Sequence, residues 1–160
     1  MKKLFLLRGL LFAVFLSNGI LQSQELTIET DSGKHVLGRA EIEGLPQLRV
    51  TASEHSSPVH FEGVSLKSVL EKAGVTFGES TRGKRLTECL VVEGADGYRV
   101  VIALPELDPA FTDKETVLAF MRDGKPLGEK EGPYRVIIPE EKRMARWVRQ
   151  VTALKIVDVR

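Results

Sequence analysis

The sequence predicts an α+β fold, a mixed β-sheet domain carrying a few short helices. Three features predict it. Short runs rich in Val, Ile, Leu and Phe recur along the chain, each bounded by Gly, Pro or Asp turn signals. Only Leu66–Ala73 shows a clear helical spacing of apolar residues. Strands are not interleaved with helices as repeated βαβ units would require.

Taken in order, Glu25–Thr30 alternates apolar and polar residues and reads as a first strand, closed by the turn signal Asp31-Ser32-Gly33. Arg39–Leu45 reads as a short helical turn stopped by Pro46. Leu48–Ala52 and Val59–Glu62 read as strands around a polar loop, Ser53–Pro58. Ser65 is an N-cap residue type, and Leu66, Val69, Leu70 and Ala73 then give one apolar helix face that Gly74 ends. Leu86–Glu93 and Tyr98–Leu104 form two strands joined by Gly94-Ala95-Asp96-Gly97, a hairpin signal because Asp-Gly tolerates positive φ. Pro105–Phe111 is a short crossover. Thr116–Met121 and Tyr134–Ile138 are strands ending at Arg122-Asp123-Gly124 and at Pro139, and Val148–Val159 supplies one or two closing strands.

Composition narrows the function. The 160 residues are 42% hydrophobic and 28% charged, too apolar for a disordered chain and too few for two comfortable domains. A formal net charge of +1 excludes nucleic acid or an anionic membrane surface as a partner held by bulk electrostatics. One cysteine excludes an internal disulfide framework and any Cys-rich metal site.

Lys2, Lys3 and Arg8 precede an apolar stretch from Gly9 to Leu16, with small polar residues at Ser17, Gly19 and Ser23. This reads as a secretory signal peptide over residues 1–23, cleaved after Ser23 or alternatively at Gly19, and not as a lasting membrane span. Its removal leaves 20 basic and 22 acidic residues in a single domain, residues 24–160, with a net charge of −2. The expected location is periplasmic or secreted, an oxidising compartment in which the lone Cys89, set in a strand-like run, is expected to be buried.

Candidate chemistry is sparse. His55 and His60 lie near Glu54 and Glu62 but in no recognisable metal motif, so they read as surface histidines and no metal site is assigned. No Gly-x-Ser-x-Gly elbow, Gly-rich phosphate loop or His-Glu-x-x-His helix is present. Lys142, Arg143 and Arg146 form either an anion pocket or a solvated basic loop beside Glu140 and Glu141. Trp147 reads as a core anchor, and Tyr98 as a half-buried strand residue with its hydroxyl at the rim.

An ordered set of short motifs runs through the chain. It comprises Phe61-Glu62-Gly63-Val64-Ser65-Leu66, Asp96-Gly97-Tyr98, Asp123-Gly124-Lys125-Pro126-Leu127, Gly132–Pro139, and Arg143-Met144-Ala145-Arg146-Trp147-Val148. In this order and spacing it resembles the molybdopterin-binding oxidoreductase domain of the sulfite oxidase family, over about Val59 to Val159, as a small stand-alone version. The resemblance implies a sulfite-oxidase-type molybdopterin-binding fold. It implies that Tyr98 stands at an active-site tyrosine position, and that Arg143 and Arg146 lie beside the pterin cofactor, where they meet its phosphate.

The chain also departs from the family pattern. The family's molybdenum-binding cysteine, in a Cys-x-Gly-Asn-Arg stretch, falls at Thr51–Ser57, which holds neither cysteine nor arginine. Glu131 stands where the family has a histidine before its Gly-x-Pro segment. The family's periplasmic enzymes leave the cytoplasm folded, on a twin-arginine signal, whereas this leader has Lys2-Lys3 and a single Arg8.

Two functions follow as expectations. The first is an exported, non-catalytic binding or accessory module that lacks the molybdenum-ligating cysteine. Its partners would be an anionic small molecule or a pterin, and a periplasmic protein. The alternative is a periplasmic molybdopterin-dependent oxidoreductase.

Overall fold

The computed structural model describes residues 24–160, so the signal-peptide expectation for residues 1–23 lies outside the described residues. Strands β1 (Leu26–Thr30) and β2 (Gly33–Leu37) are followed by helix α1 (Arg39–Glu43). Strands β3 (Gln47–Glu54) and β4 (Ser57–Ser65) then lead into helix α2 (Leu66–Lys72). Next come β5 (Glu88–Gly94), β6 (Arg99–Ala103), β7 (Val117–Arg122), β8 (Lys125–Pro126), β9 (Arg135–Ile137) and β10 (Val151–Asp158). Short 3-10 turns connect several of them, among them Leu104–Leu107 and Met144–Arg146. Among the described residues no helix is long and apolar enough to cross a membrane.

The strands form two five-stranded sheets. One has the order β2-β1-β10-β5-β6; the other runs β3-β4-β7-β8, with β9 also paired to β7. The closing strand β10 lies between the first strand and the central hairpin, parallel to β1 and antiparallel to β5. Ile28, Leu90, Ile102 and Leu154 from the first sheet and Phe61, Val64 and Leu118 from the second join one buried cluster with Leu66, Val69 and Leu70 of α2. Burying each such side chain stabilises the fold by roughly 1.5–3 kcal/mol.

The mixed-sheet α+β expectation holds. Three local expectations are corrected. Strand β2 follows the first turn where no strand was expected, because it is an edge strand with only Leu37 buried and Lys34 and Val36 facing out. The polar loop Ser53–Pro58 is a tight hairpin: Glu54 pairs with Ser57, and His55 and Ser56 both have positive φ, at 49° and 67°. Its residues read as a loop because the strands run on past their apolar stretch. Ser65 makes no side-chain cap and ends β4, while the Leu66 amide donates to the Thr116 carbonyl. Beside it, a Cβ on Gly63 would stand 2.2 Å from the Leu118 carbonyl oxygen, so only glycine lets β4 and β7 close at their register shift.

Candidate functional site

The β5–β6 hairpin brings Tyr98 to one end of the first sheet. The Asp96 carboxylate accepts the Tyr98 amide at 2.9 Å, which fixes the turn. Tyr98 is 50% exposed, and its hydroxyl donates to the Ala145 carbonyl at 2.8 Å. That bond ties the hairpin to the Met144–Arg146 turn. A Cβ on Gly94 would sit 2.8 Å from the Arg149 carbonyl, so glycine also permits the close approach of the hairpin to the segment before β10.

Arg146 lies on the same turn with its guanidinium engaged. Its Nε donates to Glu141 at 2.6 Å, its other nitrogens pair with Glu106, and Nη1 reaches the Val101 carbonyl at 3.4 Å. Glu106 in turn accepts the Ala103 amide at 3.1 Å. Val101 and Ala103 belong to the edge strand β6, so this pair caps outward backbone groups that would otherwise offer a template for another strand. Arg143 is exposed at the start of the turn. The three residues singled out in the sequence therefore gather around one turn but face different spaces. Tyr98 lines a cleft of about 390 Å³, and Arg146 lines a separate cavity of about 130 Å³ with Glu106 and Glu141.

The larger cleft has residues that sequence reasoning missed. Lys130, Arg135 and Arg149 line it against one carboxylate, Asp96, and the buried Trp147 forms part of its wall. Arg135 is 1% exposed. One of its terminal nitrogens donates to Glu131 at 2.7 Å and the other to Glu54, itself 5% exposed, at 2.8 Å. Arg122 closes the arrangement, 2.7 Å from Glu54 and 3.1 Å from Glu131. Two guanidinium groups thus meet two carboxylates, with Arg135 and Glu54 buried and Arg122 and Glu131 reaching the surface.

Aromatic faces complete the cage. The Arg135 guanidinium lies 5.5 Å from the Phe61 ring and 5.6 Å from that of Trp147, which pack edge to face at 6.0 Å. The Arg135 Nε–H has no hydrogen-bond partner among the described residues. Burial pushes the Glu54 carboxyl up. The hydrogen bond and charge of Arg135, with Arg122 and Arg149, outweigh that and hold it below its ordinary value of 4.5.

A signal for Glu54 was present: it continues the alternation Leu48, Val50, Ala52 and so falls on the inward face of β3. Arg135 likewise stands within the apolar run Tyr134–Ile138. Both are charged residues in positions that a strand buries.

Metal donors are scarce. Among the described residues no group of three or more His, Cys, Asp or Glu side chains could hold a metal ion. His55 sits at an exposed turn, and the His60 ring meets the Thr51 hydroxyl at 3.0 Å. Cys89 is buried, as expected, and burial followed by the nearby Asp158 charge pushes its thiol pKa up. It lies five residues along β5 from Gly94, about 17 Å from the Tyr98 end at the usual strand rise.

Comparison with known proteins gives a family and a fold. Residues 25–160 match the family model described as the oxidoreductase molybdopterin binding domain. The fold is similar to that in the crystal structure of the sulfane dehydrogenase SoxCD from Paracoccus pantotrophus, with a TM-score of 0.64 and 21% sequence identity. The likeness covers 84% of this chain and 38% of that one, so this chain spans well under half the length of its neighbour. No curated protein matches the chain.

Proposed function

This chain belongs to the oxidoreductase molybdopterin-binding domain family, and we propose that it is a non-catalytic binding or accessory member of it. It is exported by residues 1–23 and works in the periplasm or outside the cell, where it holds an anionic small molecule or a pterin without a molybdenum centre. The observation that carries this reading is Glu54. It lies in Thr51–Ser57, the stretch that the resemblance aligns with the family's ligand cysteine, and its buried carboxylate is engaged by Arg135 and Arg122.

The donor chemistry does not fit the metal. Molybdenum in this family calls for a soft thiolate. The one cysteine is buried, with its thiol pKa pushed up by burial, and lies at the far end of β5. A carboxylate already paired with two guanidinium groups is a poor replacement, since freeing it would leave both arginines uncompensated.

The same residues fit an anionic group. Lys130 and Arg149 place charge at the cleft without a carboxylate partner among the described residues, and Arg135 adds a preorganised guanidinium with one unused donor. Arg143, exposed at the start of the neighbouring turn, adds to the positive rim. Arg146 acts through the turn that it pins to β6, and Tyr98 fixes that turn from the other side.

Metal and pterin analysis of protein purified from its native compartment tests the reading. We expect substoichiometric molybdenum, and inorganic phosphate binding that weakens in Arg149→Ala. Near-stoichiometric molybdenum with pterin fluorescence after oxidative release would overturn it in favour of a molybdopterin-dependent oxidoreductase. Protein recovered from the periplasm should begin at Gln24.

A further inference from the structure

A second cleft, of about 510 Å³, adjoins the first. The two share Gln150 as a common wall, and consecutive residues face each of them: Ala95 and Glu129 one, Asp96 and Lys130 the other. Gln150 holds a left-handed φ of 48°. Its amide donates to the Glu131 carbonyl, its carbonyl accepts from Ala95, and its side chain donates to the Glu129 carbonyl at 2.7 Å. It therefore bridges the hairpin and the loop on either side of the groove, where left-handed non-glycine residues cluster at ligand clamps.

The halves differ in charge. The half beside Tyr98 has Lys130, Arg149 and Arg135 against Asp96, and the buried Arg135 keeps an unpartnered Nε–H. The adjoining half has two carboxylates, Glu25 and Glu129, and no cationic side chain among the described residues, over a floor that includes Leu127, Pro133 and Val151. Opposite charges across an apolar floor select for a molecule that carries both.

We propose that the two clefts form one groove for an elongated zwitterionic small molecule. Its anionic group lies against Lys130 and Arg149, and its amino group reaches Glu25 and Glu129. This rests on the anion-binding reading of the first cleft and adds the amino-group half to it.

Calorimetric titration of the purified protein with inorganic phosphate, pentyl phosphate, aminopentyl phosphate and the shorter aminoethyl phosphate tests it. The aminopentyl compound should bind about three- to fivefold more tightly than pentyl phosphate, the size of one solvent-exposed ion pair. The shorter amine should gain nothing. Glu129→Gln should bring the ratio of the two pentyl compounds towards one, and Arg149→Ala should weaken both without changing their ratio. Both positions are exposed, so neither variant threatens the core. Phosphate binding without an advantage for the amine overturns this proposal and leaves the anion site standing. An advantage that survives Glu25→Gln with Glu129→Gln also overturns it. If no phosphate compound binds, the anion site and the proposal fall together.

Discussion

Arg135 and Arg146 each hold two carboxylates, and they lie eleven residues apart in the chain. Their surroundings differ. Arg135 is caged between Phe61 and Trp147 with Glu54 sealed beneath it, whereas the Arg146 side chain is 32% exposed at the edge of a sheet. The difference teaches that a count of ion pairs does not measure their importance. A buried pair costs several kcal/mol to dehydrate, so its removal leaves an uncompensated charge; an exposed pair is screened by water and contributes about 1 kcal/mol or less.

Breaking the buried site should have the largest effect. Glu54→Ala leaves both Arg135 and Arg122 short of a partner, and we expect a loss of about 3–5 kcal/mol in urea unfolding. A loss under about 1 kcal/mol would mean that water enters the cluster, and the contrast with Arg146 would collapse. Acid should act on the same bond. The Glu54 carboxyl lies below its ordinary value of 4.5 in the folded protein, so its contribution is fully present above that pH. It is lost as pH falls through the lowered folded value. Stability measured against pH should therefore drop more steeply in the acid range for the native protein than for Glu54→Gln.

Smaller effects sharpen the comparison. Glu131→Ala removes the half-shared partner of Arg122 and Arg135 and should cost about 2–3 kcal/mol, between the two extremes. Tyr98→Phe removes the hydroxyl bond to Ala145 and should cost about 0.5–1.5 kcal/mol in the same assay. Arg146→Ala should cost no more than about 1 kcal/mol, and added salt should shrink the difference from the native protein. It also uncovers the Val101 carbonyl on β6, so size-exclusion chromatography should show more self-association than for the native protein.

Much of the fold was legible because it is written in local patterns. The Gly94–Gly97 hairpin, the α2 apolar face and the strands around Thr116 and Tyr134 each followed from periodicity and turn residues. The family resemblance, drawn from five short motifs in order, agrees with the match over residues 25–160. Strand β2 was missed because an exposed edge needs little apolar alternation. The β3–β4 turn was missed because its pairing partner, not its composition, keeps Ser53 and Glu54 in a strand.

The site was less legible. Tyr98, Arg143 and Arg146 do gather around one turn, yet the sequence names Glu54 and Glu131 without their arginine partners and does not single out Arg135. Periodicity did place Glu54 and Arg135 on inward faces, but only contact shows whether an inward charge has a partner.

By itself the sequence determined the element types, the hairpin turn, the single cysteine's place in a strand and the family pattern, since each depends on neighbours within a few residues. Tertiary structure alone decided that Glu54 meets Arg135 across 81 residues of chain, that Arg146 caps β6, and that the two clefts adjoin at Gln150. Charge pairing and burial depend on three-dimensional distance, and local periodicity has no access to it.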